Sequence, residues 1–165
     1  MKYGNAFFAG VVGALAFTLV VSLLRLIGLP LNLGLTVGTL FGFEPEVAFW
    51  PGFCIHLVAG GVFGLVYAAI FEYGSHRAGV GPGALIGAIH GVLSGLSMLA
   101  MPLIHPQMPD VLPAPGAFAI NYGFWSAVVY FGMHVAFGAI VGHLYRPVLH
   151  TRLSGLRHLN PSQSS

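Results

Sequence analysis

Three histidines, His56, His90 and His134, stand inside long apolar runs of this 165-residue chain. An ionisable side chain at membrane depth is costly and marks a functional hypothesis. Two imidazoles at matching depth could hold the iron of a b-type haem, and helix bundles host such groups. Depth follows from the helical rise of about 1.5 Å per residue. His134 lies about 18 Å above Arg146 and His90 about 13 Å above Gly81, so these two are expected to meet near the midplane. His56, about 24 Å from Glu72, is expected further out. The simpler expectation is that each neutral imidazole makes an interhelical hydrogen bond worth roughly 0.6 kcal/mol. A proton path is expected to lack an intramembrane acid.

A second constellation is Met98-x-x-Met101-x-x-x-His105-x-x-Met108, with Cys54 on the same side of the membrane. Thioether and imidazole together suit Cu(I). The plainer expectation is that the methionines pack in a bundle while His105-Pro106 shapes a loop. Glu44 and Glu46 bracket Pro45 in what reads as a solvated loop. A glycine-rich phosphate loop, a His-Glu-x-x-His motif and a serine elbow are all missing from the sequence. The chain is therefore expected to be non-enzymatic.

The elements that position these residues follow from composition. The sequence is 56% hydrophobic and 6% charged, against roughly 25% charged in soluble domains. Ten charged side chains cannot cover a soluble protein of this size, so the apolar surface must meet lipid. A bilayer core of roughly 30 Å needs about 20 apolar helical residues. Four segments qualify, near 5–24, 49–71, 83–103 and 122–145. They lack period-two alternation, which excludes barrel strands. An all-α bundle of four transmembrane helices over residues 1–148 is expected, followed by a frayed polar tail at 149–165. The loop 104–121 carries Pro106, Pro109, Pro113 and Pro115 and is expected to be ordered but not helical. Residues 25–48 are expected to lie in the interface or partly re-enter the membrane.

Four spans place Lys2, Arg77, Arg146, Arg152 and Arg157 on one side and Arg25 on the other. That asymmetry predicts both termini in the cytoplasm of a bacterial inner membrane. Trp50, Tyr122 and Trp125 are expected at the outer interface, and Tyr3, Tyr73 and Tyr145 at the inner one. No basic cluster suggests nucleic acid. The single cysteine excludes an intrachain disulfide.

The second and fourth spans repeat one pattern. Phe53-x-x-His56-x-x-x-Gly60-x-x-x-Gly64-x-x-Tyr67 matches Phe131-x-x-His134-x-x-x-Gly138-x-x-x-Gly142-x-x-Tyr145. Each set falls on one helix face. The third span carries a related stripe of His90, Ser94, Met98 and Met101, and the first carries Asn5, Ala9 and Gly13, with Gly10, Ala14, Thr18 and Ser22 beside it. Small residues four apart let helices approach closely. Two parallel hairpins related by an axis along the membrane normal are expected.

The His-x3-Gly-x3-Gly-x2-Tyr stripe, His105-Pro106-x-Met108 and the loop from Leu112 to Gly123 together resemble a group of small bacterial four-helix integral membrane proteins of no established function. The resemblance implies an inner-membrane location and brings no activity. Three readings follow. The first is an accessory or self-associating subunit, a homo-oligomer or part of a larger membrane complex. The second is a haem or copper binder. The third is a small oligomeric transporter or channel.

Overall fold

In the computed structural model the backbone of residues 1–157 and the side chains of residues 1–145 are described. The described residues form helices and turns without a strand. Helix α1 (Tyr3–Leu26) is followed by the short α2 (Leu33–Leu40). Helix α3 (Phe49–Ala69) runs into a π turn (Ile70–Gly74). Helix α4 (Val80–Ser97) passes through a 3-10 turn into the single-turn α5 (Met101–Ile104). A 3-10 segment (Ala117–Tyr122) leads into α6 (Phe124–Arg157). Four of these stretches, Tyr3–Leu26, Phe49–Gly74, Val80–Ile104 and Phe124–Tyr145, are long and apolar enough to cross a membrane. The protein is an all-α, multi-pass membrane bundle of four helices.

Local chemistry sets the ends. The Gly28 amide donates to Arg25 O and the Leu29 amide to Leu24 O, while Gly28 has φ of 101°. That is a Schellman stop, which needs a left-handed residue and so favours glycine. Gly42 (φ 85°) ends α2 the same way, through Gly42 N–H to Thr39 O and Phe43 N–H to Gly38 O. Asn32 opens α2 by accepting from the Leu35 amide at 3.1 Å. Pro51 and Pro82 sit in the first turns of α3 and α4, where their missing N–H groups cost nothing.

Packing comes next. On α1, a side chain at Gly10 would strike the Gly60 carbonyl and the Gly64 Cα of α3. On α4, a side chain at Gly83 would strike the Gly138 carbonyl and the Gly142 Cα of α6. The stripes expected from sequence thus weld α1 to α3 and α4 to α6, backbone against backbone. Because α1 and α4 run one way and α3 and α6 the other, the two hairpins are parallel copies. The hairpins meet differently. Helices α1 and α6 pack along their length, whereas α3 and α4 touch mainly through side chains. The glycine stripes of α3 and α6 are used inside the chain.

The 25–48 segment contains a helix that length alone did not reveal. Gly34 and Gly38 of α2 lie against Phe49, Gly52 and the Ala48 carbonyl at the start of α3. At the opposite end, α6 continues to Arg157, so residues 149–157 are helical where fraying was expected. Residues 158–165, the rest of the expected tail, lie outside the described residues. Trp50, Trp125, Tyr3 and Tyr73 are exposed, as interface residues should be. Tyr145 is fully buried and belongs to the core, not to an aromatic belt.

Candidate functional site: an imidazole cluster between the hairpins

The three intramembrane histidines converge. On α4 and α6, the His90 and His134 rings meet edge to face with centroids 4.9 Å apart. Phe17 of α1 stands between the other pair, 5.2 Å from His134 and 5.6 Å from His56 of α3. His56 was expected further out. It joins the group through the shared Phe17 ring.

Each imidazole has a partner of its own. Thr18 Oγ1 lies 2.9 Å from His56 Nδ1. Tyr67 Oη lies 3.2 Å from His90 Nδ1. His134 Nδ1 lies 2.8 Å from the Tyr130 carbonyl. A carbonyl only accepts, so His134 carries its proton on Nδ1 and leaves Nε2 bare. That Nε2 has no hydrogen-bond partner among the described residues, yet it is not a fully sealed orphan. Tyr130 in turn pairs with Ser94 of α4. Phe63 covers the His90 face at 4.3 Å between centroids, and Phe137 and Tyr67 wall the cluster from below.

A haem does not fit between His90 and His134. Axial ligands must face each other across the porphyrin plane, and here the two rings are already in direct contact. Nor are the ring nitrogens of His105 open to copper. His105 is buried, with the Gln107 amide donating into its Nδ1 at 3.2 Å. Its Nε2–H therefore faces Thr36 O and Thr39 Oγ1, both at 3.2 Å, and both ring nitrogens are used. Met108 is buried and Met98 packs against the buried cluster of Phe17, Val21, Leu31, Ala119 and Tyr130, while Cys54 is exposed on α3. Among the described residues no three His, Cys, Asp or Glu side chains group as a metal site.

His105 thus ties the loop to α2. The Thr39 hydroxyl donates to Leu35 O at 2.7 Å, so its oxygen accepts the imidazole proton. Thr39→Val should cost about 1 kcal/mol, a typical single hydrogen bond, because Thr36 O remains for His105. Thermal denaturation in detergent would show the small shift. A change several times larger would mean that Thr39 carries the loop alone. Nearby, Tyr122 donates to the Pro113 carbonyl at 2.6 Å, and burial raises its phenol above the ordinary value. The proline loop was expected to lack helix, and its last residues instead form the 3-10 segment Ala117–Tyr122.

Two groups were missed from sequence. Glu72 falls just beyond the second span expected at 49–71, yet it is buried and accepts from Tyr145 Oη at 3.0 Å. The π turn at Ile70–Gly74 brings both Phe71 and Glu72 inward. The interior therefore holds an acid, contrary to expectation, at the end of the bundle that bears the N-terminus. Phe17 was missed because one phenylalanine in an apolar run carries no pattern. Each half of the repeat also anchors its tyrosine differently: Tyr67 reaches His90, whereas Tyr145 reaches Glu72.

Fold and site together define a membrane protein of two parallel helical hairpins with a polar cluster in the seam between them. No protein-family model, curated protein or solved structure matches the chain.

Proposed function

We propose that this is a small non-enzymatic membrane transporter that handles protons, with the His56, His90 and His134 cluster as the site around which the two hairpins rock. One observation carries the reading. Each hairpin is closed by backbone contact, which we take to make it a rigid body, whereas the contacts across the seam at the imidazoles, Phe17 to His134 and Tyr67 to His90, are between side chains. Transporters built from parallel repeats place their sites at the repeat interface near the membrane midplane. Neutral imidazoles with a bare nitrogen accept and release protons, and Glu72 with Tyr145 supplies a second proton-binding group toward one end. Between them the interior is apolar, with Phe137 and Val141, so the arrangement suits alternating access better than an open pore. The uneven distribution of Lys and Arg favours the inner membrane with both termini cytoplasmic.

The test is proton flux into potassium-loaded vesicles driven by valinomycin and read with an internal pH dye. Wild-type protein should exceed protein-free vesicles several-fold. His134→Leu should fall to the baseline while keeping its helical circular dichroism. Wild-type flux at the protein-free level would sink the proposal. The accessory-subunit reading would then stand in its place, tested by the proteins that co-purify from native membranes.

A further inference from the structure

A trough of about 460 Å³ opens between the end of α1 and the start of α6. That volume is within the roughly 300–1,000 Å³ range of sites for small organic molecules. Its walls include Leu24, Ile27 and Leu29 on one side and Phe124, Trp125 and Val129 on the other. Both walls belong to spanning helices or their immediate ends, so the trough lies where the hydrocarbon core meets the headgroups. Its lining is overwhelmingly apolar. Ile27, Phe124 and Trp125 remain largely exposed at its mouth.

Charge identifies the occupant. Arg25 sits in the last turn of α1, one residue from Leu24 in sequence and next to Gly28 around the helix. It is the one Lys or Arg in residues 3–76. It is exposed, and none of the acidic side chains at this end, Glu44, Glu46 or Asp110, forms an ion pair with it. A long arginine side chain lies along apolar surface and carries its guanidinium out to the headgroup level. A guanidinium there is suited to bidentate hydrogen bonding with a phosphate.

We propose that this trough holds one acyl chain of an anionic glycerophospholipid, with its phosphate on Arg25. The apolar walls take the chain and Trp125 shields it at the interface. The lipid would bridge the first helix of one hairpin and the last helix of the other, outside the imidazole seam.

Trp125 lines the trough and Trp50 does not, which provides the probe. Trp50→Phe leaves Trp125 as the single tryptophan, and Trp125→Phe leaves Trp50. Each variant is reconstituted in vesicles of phosphatidylcholine containing one-tenth phosphatidylglycerol, with either lipid brominated on its acyl chains. Quenching of Trp125 by brominated phosphatidylglycerol should exceed its share of the bilayer at least three-fold, while quenching of Trp50 should follow bulk composition. Arg25→Gln should return Trp125 to the bulk value, and Val129→Phe, which fills the trough, should do so with Arg25 intact. Bulk-level quenching of Trp125 in the parent protein would overturn the site. So would an excess that survives both substitutions, since it would place the lipid elsewhere.

Discussion

Replacing Gly10 with leucine should prevent the bundle from folding. The new side chain would enter the Gly60 carbonyl and the Gly64 Cα, and neither can move without separating α1 from α3. Overpacking a core usually costs about 1–3 kcal/mol, and more where backbone must shift. Here the obstacle is backbone along a whole helix face, so the expected loss is at the upper end or beyond. Gly132→Leu is the matched control, because a side chain at Gly132 meets nothing within 4 Å. Thermal melts of both variants in the same detergent, followed by circular dichroism, decide the matter. Equal melting points would mean that the hairpins are not closed by glycine contact, and the rigid-body argument would go with them.

The contrast between those two glycines shows how much of the fold could be read directly. Length and apolarity located the four spans, and the His-x3-Gly-x3-Gly-x2-Tyr stripe located the surfaces that join α3 to α1 and α6 to α4. Periodicity works here because close approach of two helices demands small residues at fixed spacing. It fails where the spacing changes. Glu72 comes five residues after Tyr67, and on a straight α-helix that step turns it about 140° away from the tyrosine face. The wider π turn reduces that offset, and no sequence rule announced it. Helix α2 was hidden for a different reason: its eight residues are too few for a span, and its apolar character resembles that of a loop at the interface.

The candidate site was half legible for the same reasons. The meeting of His90 with His134 followed from depth alone. Tyr130 lies four residues before His134 on the same stripe, a spacing the sequence shows directly. What brings His56 into the group is Phe17, and that required knowing which way α1 faces.

Phe17→Ala should therefore have the second largest effect. The ring is nearly fully buried against both His56 and His134 and against Val21, Leu31 and Tyr130. Truncating a buried phenylalanine costs about 3–5 kcal/mol, depending on how far the surroundings collapse. The cavity would lie beside two imidazoles, so it offers water the polar partners it needs to enter. On the transport reading the variant should fold at reduced temperature and leak protons in vesicles above the wild-type rate. A folded Phe17→Ala protein with unchanged flux would show that Phe17 is packing alone and does not separate the histidines.

Helix α6 has 34 residues, about 51 Å of rise, against a hydrocarbon core of roughly 30 Å. Its membrane half forms the seam with α1, and its remaining twelve residues, 146–157, run on for about 18 Å beyond Tyr145. A rod anchored that way works as a lever. A tilt of about 10° at the seam would swing its far end by about 3 Å. Movement between the hairpins would then be legible in the aqueous phase, to any protein that touches the end of that rod.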